Sequence, residues 1–361
     1  MNKMSKYCLD EVNFDSMTAS SKARQDVTDI LKNLGYQSVN FNCDYSHGFI
    51  KSVISALKVT HEVLKRLKTM ELGSIVLLQH PFNCYTNYLG RKIHKICIKR
   101  NIKTIVLIHD VDTIRYSNYH GMNKGYLYTK LFRDEISYLN QFQDIISHNK
   151  KMTKYLVDKG IDSAKIHNLS IFDYLVSNYD VVDKVNRNNF KTVYLAGNLS
   201  EAKSRYVYEL PKLEFSSYII ELFGVNYTGI SNEYIHYNGA VKPEELPKNI
   251  FTGFGLVWDG DSLDTCTGNL GNYLKFNNPH KLSSYIACGI PVIVWKEAAI
   301  SDFVKENKIG FSIQNLKEID SILKYLSYDD YIEMKGNVLS IRENIITGSY
   351  LKNTVLAIEG E

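Results

Sequence analysis

Proline is scarce in this chain, six among 361 residues, and the six cysteines (Cys8, Cys43, Cys84, Cys97, Cys266, Cys288) form no CxxC pair. His94 and Cys97 have H-x-x-C spacing without a matching second pair. The thiols therefore read as buried and free, and neither a disulfide framework nor a structural metal is expected. No G-x-G-x-x-G occurs, which removes the usual dinucleotide fingerprint. No window approaches the roughly 20 apolar residues of a membrane helix. The opening MNKMSKYCLDEVNF lacks the apolar core of a signal peptide, so a cytoplasmic location is expected. The formal charge of +4 is small for this length, with lysines scattered among acids. That gives no support to a nucleic-acid partner and leaves an anionic small ligand compatible. Internal repeats and low-complexity segments are also missing, which excludes solenoids and fibres.

What remains is an ordinary globular composition, 44% apolar and 23% charged, on a chain long enough for two domains of roughly 150 to 200 residues. Short β-rich runs alternate with helical patterns, the signature of βαβ units and parallel sheets. The first half predicts strands at Ser38–Cys43, Ser74–Gln79, Lys103–Ile108 and Asp144–Ser147, with helices at about 18–34, 48–70, 87–100 and 126–141. The second half predicts strands at Thr192–Ala196, Tyr218–Phe223, Phe254–Trp258 and Pro291–Trp295, with helices at about 200–212, 279–288, 297–307, 316–327 and 328–345. The polar stretch within Ser177–Asn189 reads as a linker. The organisation expected is a Rossmann-like domain over 1–178, a linker over 179–189, a second Rossmann-like domain over 190–345, and a C-terminal helix over 346–361 returning to the first domain.

Four groups of residues carry chemistry. The strand ending Val193-Tyr-Leu-Ala-Gly197-Asn198 runs into a small-residue turn where backbone amides can approach an anion, although the same turn is ordinary βα punctuation. Glu201, Lys203 and Arg205 follow it, and a cation there could meet phosphate. The segment Asn277-Asn278-Pro279-His280-Lys281-Leu282-Ser283-Ser284 opens a short helix, with Asn278 as N-cap, Pro279 at the first helical position and Gly289 as its stop. First-turn amides, Lys281 and two hydroxyls would suit a diphosphate; the bland alternative is a helix that only packs. Trp258-Asp259-Gly260-Asp261 ends a parallel strand where open sheets bind ligands, but Asp-Gly is also a turn former. His109-Asp110-Val-Asp112 ends another strand, and Asp110, with His109 as runner-up, is the candidate general base unless the carboxylate only fixes a loop. His148, His167 and His236 stand isolated and read as structural.

The order Gly197-Asn-Leu-Ser200, Phe223-Gly-Val-Asn-Tyr227, Trp258-Asp-Gly-Asp-Ser262, Thr265-Cys266 and Tyr273-Leu-Lys-Phe-Asn-Asn-Pro-His-Lys281 resembles the bacterial β-1,6-galactofuranosyltransferases of O-antigen assembly. Ile108-His-Asp-Val-Asp112, Ile146-Ser-His-Asn149, Met152-Thr-Lys-Tyr-Leu156, Ile171-Phe-Asp-Tyr-Leu-Val-Ser177 and Thr347-Gly-Ser-Tyr350 fit the same family, so the likeness spans nearly the whole chain. More distantly the sequence is similar to the glucosyltransferases that extend O-linked glycans on streptococcal adhesins. That likeness implies UDP contacts from Lys281 through Ile286, from Thr18 and Ser20 in a loop of the other domain, and from Lys203 or Arg205.

The resemblance implies an α/β GT-B fold, two Rossmann-like domains facing across a cleft. It implies an inverting transfer of galactofuranose from UDP-galactofuranose, or a related UDP-hexose, to the 6-OH of a lipid-linked glycan acceptor in lipopolysaccharide synthesis. UDP-sugar would be a substrate, with no cofactor and no metal. Asp110 would take the acceptor proton, Lys281 and the helix amides would meet the departing UDP, and Asp259 and Asp261 would contact the donor sugar. Peripheral membrane contact and self-association stay open. The alternatives are a UDP-pyranose transferase, an epimerase or hydrolase on the same architecture, and a non-catalytic UDP-sugar-binding partner.

Overall fold

The computed structural model describes residues 4–11, 19–42, 49–82, 86–116, 135–176, 187 and 189–360. It divides into two compact units. The first comprises Met1–Asp15, Arg24–Leu169 and Leu351–Glu361, and the second Ser16–Ala23 and Ser170–Tyr350.

Among the described residues the first unit holds one six-stranded sheet, built from β1 (Lys6–Glu11), β2 (Tyr36–Phe41), β3 (Ile75–His80), β4 (Lys103–Ile108), β5 (Asp144–Ser147) and β6 (Ile166–Asn168). Every pairing is parallel, in the order β2-β1-β3-β4-β5-β6. The run Ile75-Val-Leu-Leu-Gln-His80 is buried throughout, as a central strand covered on both faces must be. The end of the helix Ser349–Glu359 is fastened to this unit. Glu359 accepts from Lys6 Nζ at 2.5 Å and Tyr36 Oη at 2.6 Å, and Ile358 O accepts from Lys103 Nζ at 2.8 Å.

The second unit holds a six-stranded parallel sheet of β7 (Thr192–Asn198), β8 (Ile219–Val225), β9 (Ile235–Tyr237), β10 (Phe254–Val257), β11 (Val292–Trp295) and β12 (Gly310–Ile313), in the order β12-β11-β10-β7-β8-β9. The long segment of this unit begins at Ser170, ahead of the linker predicted at 179–189, of which only residues 187 and 189 are described. Packing explains the difference. Ile171 and Tyr174 belong to the second core, Tyr174 N–H donates to Ile345 O at 3.0 Å, and its hydroxyl donates to Pro243 O at 2.5 Å. The helix predicted over 200–212 is also corrected. Residues 199–205 form a turn, a four-residue helix follows at Tyr206–Glu209, and a 3-10 turn closes it at Leu210–Lys212. Asn198 and Ser204 side chains bond the turn backbone in place of a helical ladder, and Pro211 supplies no N–H.

The strand order reverses between β7 and β10, so the chain leaves one side of the sheet for the other at this point. Open α/β sheets bind ligands beyond the strand ends at such a crossover. β7 and β10 are in register only at Val193 with Phe254 and Tyr194 with Gly255. Past that pair Tyr285, from the helix His280–Ala287, bonds the backbone of β7 and lays its ring against Gly255 of β10. Its hydroxyl accepts from Ala196 N–H at 2.8 Å and donates to Tyr194 O at 3.2 Å. The ring needs a glycine beneath it, since a Cβ on Gly255 would lie 2.1 Å from it.

Tyr285→Phe is expected to lower the stability of this unit by about 1–3 kcal/mol, the cost of losing two hydrogen bonds to the β7 backbone, and Gly255→Ala should cost more. Urea midpoints followed by tryptophan fluorescence check this, and unchanged midpoints in both variants would contradict it.

Candidate active site

In the second unit the site assembles at the crossover. β7 ends in Ala196-Gly197-Asn198. Gly197 has φ +143°, open to glycine but strained for other residues, and a Cβ there would meet Lys281 Cε at 3.6 Å. Its register partner on β8 is Gly224, where a Cβ would fall 1.8 Å from Gly197 O. Asn198 Oδ1 accepts from Ser200 N–H at 3.0 Å, which fixes the turn that carries the exposed Lys203.

β10 leads into Trp258, whose buried indole donates to Ser262 O at 3.0 Å and whose carbonyl accepts from Tyr206 Oη at 3.1 Å. Lys281 Nζ donates to that same carbonyl at 3.1 Å and to Asp259 Oδ1 at 2.7 Å. The two side chains are only 23% and 17% exposed, so the ammonium is oriented rather than waving in solvent. The loop after Asp259 folds tightly on itself: a Cβ on Gly260 would sit 2.3 Å from Thr267 O, and one on Gly268 would sit 2.8 Å from the exposed Asp261 carboxylate. Burial pushes the Cys266 thiol beside this loop upward, so it stays protonated.

The helix His280–Ala287 is capped differently from the sequence expectation. Pro279, not Asn278, takes the N-cap position, while Gly289 at φ +74° does terminate the helix. Asn278 is buried and its amide donates to Ser170 O at 3.0 Å; Ser283 is buried and donates to Phe172 O at 2.7 Å. These two predicted ligands hold the segment at the start of the unit. Ser284 Oγ bonds Lys281 O at 2.8 Å, Leu282 N–H bonds Pro279 O at 3.0 Å with its side chain in the core, and the His280 ring rests against Phe172 at 5.2 Å. Of the predicted donor-side residues, Gly197, Asp259 and Lys281 converge, with Asn198 next to them. Tyr285 and Ile286, inside the run Lys281–Ile286 expected to contact UDP, are wholly buried instead, the Tyr285 hydroxyl being taken by the β7 backbone; Tyr206 and the Trp258 carbonyl were missed. Thr18 lies outside the described residues, and Ser20 falls in the first turn of the helix Ala19–Asn33, its side chain likewise outside them.

In the first unit His109 and Asp110 follow β4. Asp110 Oδ2 accepts from Arg115 Nη1 at 2.6 Å, a charge-assisted bond that opposes the proton uptake expected of a base. His109 Nε2 lies 2.7 Å from Gln79 Oε1. Next to them Glu135 caps the short helix Asp112–Arg115, accepting from the Asp112 and Thr113 N–H groups at 3.0 and 2.8 Å, and it lies 3.0 Å from His80 Nε2. Burial would raise the Glu135 carboxyl, yet His80 and Thr113 hold it below the usual carboxylate range. Asp112, absent from the predicted site, is pushed up to about 6 by burial first and by the Glu135 charge second. His148 is buried, bonded to Ile108 O at 3.0 Å, and burial lowers it to about 4. His167 and His236 pair with Asp144 and Glu221 at 2.8 and 3.0 Å. Cys8, Cys97, Cys266 and Cys288 are buried free thiols; Cys43 and Cys84 lie outside the described residues. Among the described residues no group of three or more His, Cys, Asp or Glu is arranged to hold a metal ion, and no helix is long and apolar enough to cross a membrane.

Comparison with known proteins gives a consistent result. Residues 6–171 match the glucosyltransferase 3-like N-terminal domain, and residues 193–358 the glucosyltransferase 3-like C-terminal domain. The β-1,6-galactofuranosyltransferase WbbI of Escherichia coli (strain K12) is 33% identical over 355 residues, 97% of each chain. Among solved structures, sucrose-phosphate synthase from Thermosynechococcus elongatus superposes with a TM-score of 0.67 at 10% identity, covering 99% of this chain and 98% of the other. An α-glucosyltransferase in complex with UDP superposes at 0.56 and 11% identity, covering 99% and 100%. The fold is that of the GT-B glycosyltransferases.

Asp112 offers a test of the electrostatics. A carboxyl raised in the folded chain favours folding while protonated, and that contribution is lost as pH rises from its unfolded value of ~3.9 through about 6. Asp112→Asn is therefore expected to raise Tm by about 2–4 °C near pH 7.5, with the gain gone near pH 4. Equal differences at both pH values would contradict it.

Proposed function

The chain belongs to the glucosyltransferase 3-like family of GT-B glycosyltransferases, and from that premise we propose that it transfers galactofuranose from UDP-galactofuranose to a primary 6-hydroxyl of a glycan acceptor with inversion. The geometry that carries the reading is Lys281, held half-buried by Asp259 and the Trp258 carbonyl at the crossover of the second sheet. A fixed cation beyond the strand ends suits a diphosphate, and its value grows as the leaving group gains charge. The furanose assignment is supported by WbbI, a β-1,6-galactofuranosyltransferase alike over 97% of both chains. UDP as the nucleotide is supported by the UDP complex of the α-glucosyltransferase with the same fold.

In the proposed reaction the acceptor oxygen attacks the anomeric carbon as the bond from that carbon to the diphosphate oxygen breaks. The electron pair leaves on UDP and the hydroxyl proton passes to the His109–Asp110 pair at the end of β4. One displacement converts an α donor into a β glycoside. Lys281 neutralises the departing β-phosphate, and the carboxylates Asp259 and Asp261 are assigned to the donor sugar and its oxocarbenium-like charge. No metal or other cofactor enters these steps, and the acceptor is assigned as a lipid-linked glycan of surface-polysaccharide synthesis.

The test is incubation of purified protein with EDTA, an alkyl glycoside acceptor and a panel of UDP-galactofuranose, UDP-galactose and UDP-glucose, with products identified by mass spectrometry and NMR. A β-linked furanosyl product at the 6-position is expected. Transfer from a pyranose donor alone would overturn the donor assignment, and UDP release without a glycoside product would overturn the transferase reading.

A further inference from the structure

Beneath His109 lies a run of buried polar groups that the displacement described above does not use. Gln79, Thr28 and Asp10 are 0%, 2% and 4% exposed. Thr28 Oγ1 donates to Asp10 Oδ2 at 3.0 Å, Gln79 Nε2 donates to Thr28 Oγ1 at 2.9 Å, and Gln79 Oε1 faces His109 Nε2 at 2.7 Å. A buried side-chain network of this kind is costly unless each member is satisfied, so its presence demands a reason. The direction of the chain is fixed by one further contact. Gln79 Nε2 also donates to the Arg24 carbonyl at 3.3 Å. A carbonyl only accepts, so the amide cannot be turned over, and its oxygen must be the atom that meets the imidazole.

We propose that Gln79 is a positioning residue, anchored through Thr28 to Asp10, that fixes His109 as the Nε2–H tautomer and makes His109, rather than Asp110, the group that accepts the acceptor's proton. The inference rests on the transferase reading for its catalytic half only. With Nε2–H donated to Gln79, the imidazole gains its second proton at Nδ1, and the amide oxygen stabilises the imidazolium that results. Asp110 is already engaged by Arg115 at 2.6 Å.

The groups around His109 come from every neighbouring element. Asp110, Asp112 and Arg115 follow it on its own segment. β3 supplies His80, whose carbonyl receives the His109 N–H at 2.7 Å, and His80 pairs with Glu135. β1 supplies Cys8 and Asp10, the first helix supplies Arg24, 3.7 Å from Asp10, and the segment after β5 supplies His148. His148 is held neutral by burial, with its pKa lowered to about 4, so it does not titrate in the working range. Asp112, raised to about 6, does, and needs its own control.

The experiment has two arms on the full chain. Imidazole 15N NMR of the wild type, Gln79→Met and Thr28→Val reads the tautomer and titration of His109 without any substrate. The Nε2–H pattern is expected in the wild type, with a mixed pattern and a lowered pKa in Gln79→Met and a smaller change of the same sign in Thr28→Val, the milder variant should Gln79→Met fold poorly. Kinetics then follow kcat/KM against pH. Gln79→Met is expected to lose about 10–100-fold in kcat with KM within about twofold, and to move the acid limb down. In Asp112→Asn that limb should stay in place. An Nδ1–H pattern in the wild type, or an acid limb that follows Asp112 or ignores Gln79, would overturn the proposal. A protein inactive on every donor would sink the transferase reading and with it the catalytic half, while the NMR arm still decides the positioning half.

Discussion

Where β7 and β10 part, an N–H and a carbonyl of β7 lose their strand partners, and the hydroxyl of Tyr285 satisfies both. The site depends on that pair of bonds. Tyr285 pins the helix His280–Ala287 against the sheet, and Lys281 lies one turn earlier on the same face, since residues four apart on a helix are neighbours. The ammonium is thereby carried to the strand ends, where the Trp258 carbonyl and Asp259 complete its orientation. Glycine at 255 admits the aromatic ring, and glycine at 197 keeps the strand end open beside Lys281. Two glycines, one tyrosine and one lysine set an oriented cation at the edge of an ordinary βαβ crossover.

The two units solve different problems with the same kind of sheet. The second carries an oriented cation to its strand ends and uses hydroxyls such as Ser283 to secure the segment around Phe172. The first buries its polar groups behind β4 in two sets. One set, Glu135 with His80 and Thr113, shapes the helix that follows Asp110 and raises Asp112. The other, Asp10 with Thr28 and Gln79, reaches His109. Preorganised polar groups of this sort lower the reorganisation needed when charge develops, which is the usual reason for keeping them in an enzyme interior.

Much of this was legible from the residues. The apolar runs of β3, β4, β10 and β11 announced buried parallel strands, and Pro279 and Gly289 bracketed the Lys281 helix. β1 was missed because its sequence, Lys-Tyr-Cys-Leu-Asp-Glu, ends in two acids; both are buried, and the partners of Asp10, Thr28 and Arg24, lie on a helix beginning more than a turn beyond the strand. β9 and β12 are too short to show a period. Asn278 looked like a cap because Asn before Pro usually is one, and only the tertiary contact with Ser170 reveals its use. The pairing of Asp110 with Arg115 was open to inspection at five residues' spacing, but nothing in a sequence says which way an arginine will turn. Gln79 read as the polar end of an apolar strand, and its role emerges only when β1, β3, β4 and the first helix are brought together.

The most direct measurement is calorimetric titration of UDP and UMP into the wild type and Lys281→Met. If Lys281 is the cation of the diphosphate, the wild type prefers UDP over UMP by about tenfold or more, equivalent to about 1.4 kcal/mol, and the variant loses that preference while still binding UMP. An undiminished preference for UDP in a folded Lys281→Met protein would contradict the assignment on which the proposed chemistry stands.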